Sequence, residues 1–215
     1  MIGDIIELNE THLATAGEIL EILKRQFPLA QKHKIAVGIA GESGSGKSVT
    51  AFALQKVLQE ISIKSLVLQM DDYFTLPPKT NHENRLLSLD NIGPHEVNLK
   101  KLSGNIKDFK KGMPIIEKPL VHYRENSIRT EALEVEECKV IIVEGTYILE
   151  LEDFDYKIFI DRNYKDTYKN RMQRNRDEQS DFVEKVLDIE HRIIRNFKNN
   201  ADLILDKNYQ PVIPQ

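Results

Sequence analysis

Apolar residues along this chain fall into two periods, and the change from one to the other marks its elements. Leu13, Ala16, Ile19, Leu20 and Leu23 recur at helical spacing behind Thr11, a residue suited to an N-cap. Residues 11–27 are therefore expected to form an amphipathic helix that stops before Pro28. Ile35 to Ala40 is a short run without a polar interruption, the pattern of a strand buried on both faces, and Ala51 to Ile61 returns to helical spacing. Leu66 to Met70, Val140 to Val143, Ile158 to Ile160 and Leu203 to Leu205 predict further strands; the first three end at Asp71-Asp72, Glu144 and Asp161. Short apolar strands alternating with helical segments imply an α/β fold with a doubly wound parallel sheet. The ligand crevice of such a sheet lies beyond the C-terminal strand ends, where these acids fall.

The stretch 75–136 is less regular, with Pro77-Pro78, Gly93-Pro94, Pro114 and Pro119 as breakers. Val97, Leu99 and Leu102 predict a short helix, and Ile115 to Tyr123 with Ile128 to Val135 predict a strand hairpin. This stretch reads as an insertion that supplies an acceptor pocket. The tail after Asn208 carries Pro211 and Pro214 and is expected to be loosely held. The whole chain, 1–215, reads as a single domain with an N-terminal helical extension over 1–33, the insertion over 75–136 and a lid over 171–182.

Between the first predicted strand and the helix that follows stands Gly41-Glu42-Ser43-Gly44-Ser45-Gly46-Lys47-Ser48, a complete G-x-x-x-x-G-K-[ST] motif in the context that motif requires. Its glycines let consecutive backbone N–H groups turn inward around phosphate oxygens, and the helix N-terminus adds positive potential. Lys47 is expected to reach the β- and γ-phosphates of ATP, Ser48 to ligate Mg2+, and Val49 to continue the nucleotide contact into the helix. An Asn-Lys-x-Asp motif for guanine is lacking, since Asp206-Lys207-Asn208 does not match it. Leu102-Ser103-Gly104 opens like a transporter ATPase signature, but Asn105-Ile106 ends the likeness.

The strand-end acids suit phosphoryl transfer. Asp71 is the candidate to take the proton of an attacking hydroxyl, and Asp72 the one to cap the following turn. Glu144 closes a hydrophobic strand, where a carboxylate holds magnesium, and Gly145 would let the chain turn close to the phosphates. Arg171, Arg174 and Arg176 end a helix predicted to start near Asn163 and are placed to close over transferring phosphates as a lid, neutralising charge and excluding water. Arg192 and Arg195 follow on the next helix, whose apolar face is Val183, Val186, Leu187, Ile189, Ile193 and Ile194. In the insertion, His122 and Tyr123 offer rings to an acceptor, and Arg85 and His95 are further candidates.

Charge narrows the range of partners. The net charge is −4, and the 30 basic residues are spread without a continuous block, which argues against nucleic-acid binding. No apolar run approaches a membrane span, so no membrane partner and a cytoplasmic location are expected. Cys138 stands alone before an apolar run and is expected to be a half-buried thiol. A homo-oligomer stays open.

Gly41 to Ser48, Met70-Asp71-Asp72-Tyr73-Phe74, Val143-Glu144-Gly145, Ile160-Asp161 with the arginine helix, and Ala201-Asp202-Leu203-Ile204-Leu205 together resemble the uridine kinase and phosphoribulokinase branch of P-loop kinases over residues 34–206. The resemblance implies a small-molecule kinase that uses ATP and Mg2+, with Asp71 as catalytic base and Tyr73 beside it at the acceptor. Lys47, Ser48 and Glu144 would lie around phosphates and metal, and the lid arginines on phosphate. Uridine kinases carry Pro-x-Tyr-Asp-Phe followed by His and Arg at the nucleoside pocket. This chain has Pro119-Leu120-Val121-His122-Tyr123-Arg124, with Tyr123 and Arg129 as the candidate counterparts. Asp177-Glu178-Gln179-Ser180 replaces their Glu-Arg-Gly-Arg in the lid. The implied acceptor is a nucleoside, a sugar phosphate or a related metabolite; the alternative is an ATPase switch or assembly protein in which Glu144 positions water.

Overall fold

A computed structural model describes residues 7–29, 33–168 and 180–214 of the protein. The chain runs α1 (Glu10–Gln26), β1 (Ile35–Gly41), α2 (Lys47–Glu60), β2 (Ser65–Gln69), α3 (Pro78–Leu87), α4 (Leu99–Lys110), β3 (Ile115–His122), β4 (Ser127–Glu134), β5 (Val140–Gly145), β6 (Tyr156–Ile160), α5 (Asp181–Ile194), β7 (Leu203–Leu205) and β8 (Pro211–Val212). Among the described residues the main sheet has the order β2-β5-β1-β6-β7-β8, parallel except for β8, and β3 pairs with β4 in a separate antiparallel hairpin. The five predicted strands and the hairpin are all present, each within a few residues of its expected limits.

β1 and β5 are buried along their whole length because each lies between two parallel neighbours with helices on both faces. Alternation divides β1 between two apolar layers. Val37 and Ile39 face α1 and α2 (Ile19, Leu20, Leu23, Leu54, Leu58), while Ala36 and Ala40 face α4 and the hairpin (Leu102, Ile106, Phe109, Ile116). Each fully buried Leu or Ile adds about 1.5–3 kcal/mol by leaving water. The N-terminal helix is thus one wall of the core. Its cap is Asn9 and not Thr11: the Asn9 side chain accepts the His12 N–H at 2.9 Å, and His12 Nδ1 accepts the Asn9 N–H at 3.3 Å. Those reciprocal bonds satisfy two donors that a helix start leaves open.

Three features of the fold depart from the sequence reading. The short helix around Leu99 is a full helix, capped by the Asn98 side chain and seated by Leu102, Ile106 and Phe109 at helical spacing. α3 was not expected at all, since Asn81 is its one buried residue and Leu86 and Leu87 are exposed. Polar bonds hold it: Asn81 Nδ2 donates to Glu96 at 2.9 Å, and the Lys79 N–H donates to Asn126 Oδ1 at 2.8 Å. The tail is not loose. Asp206 Oδ1 accepts the N–H groups of Asn208 and Gln210, both at 2.8 Å, and the turn returns the chain as β8 against β7. Cys138 is half-buried as expected, and burial pushes its thiol pKa up.

Candidate active site

The sheet order puts the C-terminal ends of β1, β2 and β5 side by side, and the motif residues meet there. β1 runs into the loop Gly41 to Gly46, where Gly44 (φ 74°) and Gly46 (φ 101°) take backbone conformations that a Cβ disfavours, and α2 begins at Lys47. Lys47 Nζ donates to the Glu42 carbonyl at 2.9 Å. The Glu42 side chain is buried and holds the loop to two later segments. One carboxylate oxygen accepts the Tyr164 N–H at 2.7 Å, and the other lies 2.6 Å from His191 Nδ1 on α5. Ser45 is fully buried in the loop, and Val49 is half-buried one residue beyond Ser48.

Glu144, the next-to-last residue of β5, accepts the Ser48 hydroxyl at 2.8 Å and Gln69 Nε2 at 3.2 Å. Burial pushes its carboxyl above the ordinary range, the Lys47 charge opposes that shift, and Asp71 adds to it. Lys47, Ser48, Glu144 and Asp71 therefore share one electrostatic neighbourhood although they come from three elements. The two adjacent aspartates separate sharply. Asp71 is exposed in the 3₁₀ turn Met70–Tyr73 that ends β2. Asp72 is buried: Oδ2 receives Lys118 Nζ at 2.6 Å and Oδ1 the Val121 N–H at 3.0 Å, so it ties the hairpin to the end of β2.

Tyr73 takes a different place. Its side chain, expected beside Asp71 at the acceptor, is fully buried and packs in the core layer with Leu102 and Ile106. The reason for Gly145 also changes. A Cβ there would lie 2.3 Å from Met70 Cβ, so the glycine lets β5 pass under the turn that carries Asp71. At the hairpin end, His122 pairs opposite Ser127 and is half-buried, and Tyr123 is exposed. Arg129 is exposed too and pairs with Glu125 at 2.6 Å, so the ring and guanidinium candidates gather at the tip. Arg171, Arg174 and Arg176 lie outside the described residues, as does the lid segment up to residue 179.

A partly buried ion network, not legible from spacing, joins the insertion to α5. Arg85 donates to both oxygens of Glu96, Nε at 2.6 Å and Nη2 at 2.9 Å, and Nη2 also reaches Glu190 at 3.0 Å. Burial pushes the Glu190 carboxyl up, against the pull of Arg85 and Lys47, so this network borders the phosphate loop. His95, the other candidate in this stretch, is exposed. Helical spacing with Val183, Val186, Leu187 and Ile194 on the apolar face of α5 was the one signal available for Glu190, and that spacing gave it no partner. Among the described residues no cluster of three acids, histidines or cysteines is placed for a metal, and no helix is long and apolar enough to cross a membrane.

A family model described as Phosphoribulokinase / Uridine kinase family matches residues 36–207, from the start of β1 through the turn after β7. The chain belongs to this family. Among its relatives, a uridine kinase of Ligilactobacillus salivarius is 30% identical over 183 residues, 80% of this chain and 84% of that protein. The bifunctional alpha-galactosidase/sucrose kinase AgaSK of Mediterraneibacter gnavus is 26% identical over 212 residues; the match takes in 92% of this chain but 23% of that protein. Two solved structures share the fold. D-glycerate 3-kinase from Cryptococcus neoformans has TM-score 0.62 and 15% identity over 95% of this chain and 98% of its own. Phosphoribulokinase from Rhodobacter spheroides has TM-score 0.59 and 13% identity over 82% and 71%. Members of the phosphoribulokinase and uridine kinase family are kinases that phosphorylate hydroxyl groups, and membership brings ATP as the implied phosphate donor.

Proposed function

We propose that this kinase transfers the γ-phosphate of Mg-ATP to a hydroxyl of a small metabolite, a nucleoside or a sugar or its phosphate, with Asp71 as general base. The division between the two aspartates carries the reading. Asp72 is consumed in a buried pair with Lys118, whereas Asp71 stands exposed at the crevice, within electrostatic reach of Glu144. In the proposed step the acceptor hydroxyl gives its proton to Asp71, its oxygen bonds to the γ-phosphorus, and the bond from phosphorus to the β-γ bridging oxygen breaks to leave ADP. Lys47 offsets negative charge on the phosphate oxygens, and Arg171, Arg174 and Arg176 are assigned the same task from the lid.

Ser48 and Glu144, a hydroxyl and a carboxylate 2.8 Å apart, form the hard-oxygen pair that suits magnesium when phosphates and water complete its shell. The ion would supply charge neutralisation between the phosphates. His122, Tyr123 and Arg129 at the hairpin tip are the acceptor-side candidates. The names of the relatives put nucleosides and sugars first among acceptors to test.

The deciding experiment follows ADP release with nucleosides, pentose phosphates, sucrose, pantothenate and glycerate offered one at a time. A kinase stays nearly idle with ATP alone and accelerates with one acceptor. Steady hydrolysis of ATP that no acceptor changes would instead support a switch in which Glu144 positions water.

A further inference from the structure

Backbone amides bind phosphate only if they point at it, and something must hold them in that orientation. In a trans peptide the C=O of one residue and the N–H of the next point in opposite directions. A donor that grips a loop carbonyl from outside therefore aims the following N–H inward. Two side chains do this on alternate peptides of the phosphate loop. Thr167 Oγ1 donates to the Ser43 carbonyl at 2.9 Å, which directs the Gly44 N–H, and Tyr209 Oη donates to the Ser45 carbonyl at 2.9 Å, which directs the Gly46 N–H.

Tyr209 is held with unusual care for a residue in a C-terminal turn. It occupies left-handed backbone space (φ 61°), a conformation that costs energy in a residue with a Cβ and persists only when neighbours impose it. Its N–H donates to the Asp206 carbonyl at 2.9 Å, and its own carbonyl accepts Thr15 Oγ1 of α1 at 3.2 Å. The His12 ring meets the Tyr209 ring edge-on with centroids 5.9 Å apart. The Arg162 guanidinium lies 4.9 Å from the ring centroid and donates to the hydroxyl. The ring also rests on Gly46, where a Cβ would come within 2.4 Å of the hydroxyl. Thr15 is buried, so its hydroxyl has a defined partner in this tail.

We propose that Tyr209 is a positioning residue for the phosphate loop and that α1, through Thr15 and His12, holds it in place. The N-terminal helix then belongs to the nucleotide site as well as to the core. The inference rests on the reading that this loop binds a polyphosphate, and it assigns the tyrosine to the phosphates and not to the base.

The test uses the full-length protein with Mg-ADP and with inorganic tripolyphosphate, a probe that has phosphates and no base. Calorimetry compares wild type, Tyr209→Phe, Thr15→Val and the double variant, with thermal unfolding measured on each. Tyr209→Phe should weaken both probes by the same factor, about tenfold for one lost hydrogen bond, while the melting temperature barely changes. Thr15→Val should weaken both less, and on top of Tyr209→Phe it should add nothing, because there is no longer a hydroxyl to aim. Unchanged tripolyphosphate affinity in Tyr209→Phe, or additive losses in the double variant, would overturn the inference and leave the kinase reading intact. If the wild type binds neither probe, the kinase reading fails, and this inference fails with it.

Discussion

The phosphate-loop side and the insertion side of this crevice are built by different means. The phosphate-loop side is eight consecutive residues, Gly41 to Ser48, whose chemistry resides in main-chain amides and one lysine. The insertion is tied down by buried and half-buried charges far apart in sequence: Asp72 with Lys118, 46 residues on, and Arg85 with Glu96 and Glu190, 11 and 105 residues on. Backbone chemistry needs special conformations, so it leaves glycines at set intervals. Ion-pair chemistry needs only that two side chains meet, and any spacing serves. The phosphate-loop side can therefore be read by its motif, whereas the insertion side must be seen folded.

Substitutions can break this contrast, beginning with the largest effect. Asp71→Asn should lower phosphoryl transfer by about 10²–10⁴-fold with Mg-ADP affinity unchanged, as expected for a lost general base. Asp72→Asn beside it should act on stability, since it leaves Lys118 buried without its carboxylate. Steady-state rates and calorimetry on the two variants separate them, and equal losses of activity with equal loss of stability would erase the distinction drawn between the neighbours.

Next comes the insertion itself. Arg85→Met leaves buried Glu96 and half-buried Glu190 without their cation, a change that costs up to about 3–5 kcal/mol when one member of a buried pair is removed. Urea unfolding should report that loss while affinity for Mg-ADP stays near the wild-type value. A collapse of nucleotide binding in this variant would show that the two sides are one unit.

The smallest effect sharpens the same boundary through pH. Burial raises the Glu190 carboxyl above its ordinary 4.5 despite Arg85, so the folded protein keeps this proton longer than the unfolded chain does. Glu190 therefore detracts from stability as pH rises from about 4.5 through the raised value, and the penalty is complete above it. Glu190→Gln should flatten that slope and be neutral or slightly stabilising at pH 7, because Arg85 retains Glu96. Unfolding curves between pH 4 and 7 test the sign; a strongly destabilised Gln variant at neutral pH would mean that the charged pair is favourable on balance.

Much of this molecule was legible before folding. Apolar runs and breakers located the parallel strands and the hairpin, because burial on both faces of a sheet excludes polar residues from the run. The glycine spacing and the strand-end acids located the phosphate loop, Asp71 and Glu144. α3 went unseen because polar bonds to Glu96 and Asn126 hold it, and hydrophobic period is silent about those. The burial of Tyr73 is not legible either, because a tyrosine beside Asp71 reads the same whether its ring faces the crevice or the core. The tail looked loose because its two prolines outweighed Asp206, whose side chain closes the turn.

The order of residues thus determined the α/β architecture, the glycine loop between β1 and α2 and the acids at the strand ends beside it, since each depends on near neighbours in the chain. Only the tertiary structure decided which of two adjacent aspartates is exposed, that Arg85 and Glu190 meet, and that a tyrosine touching the N-terminal helix reaches the phosphate loop. Those outcomes depend on distances between residues remote in sequence, and one-dimensional spacing carries no measure of such distances until the sheet has brought its strands together.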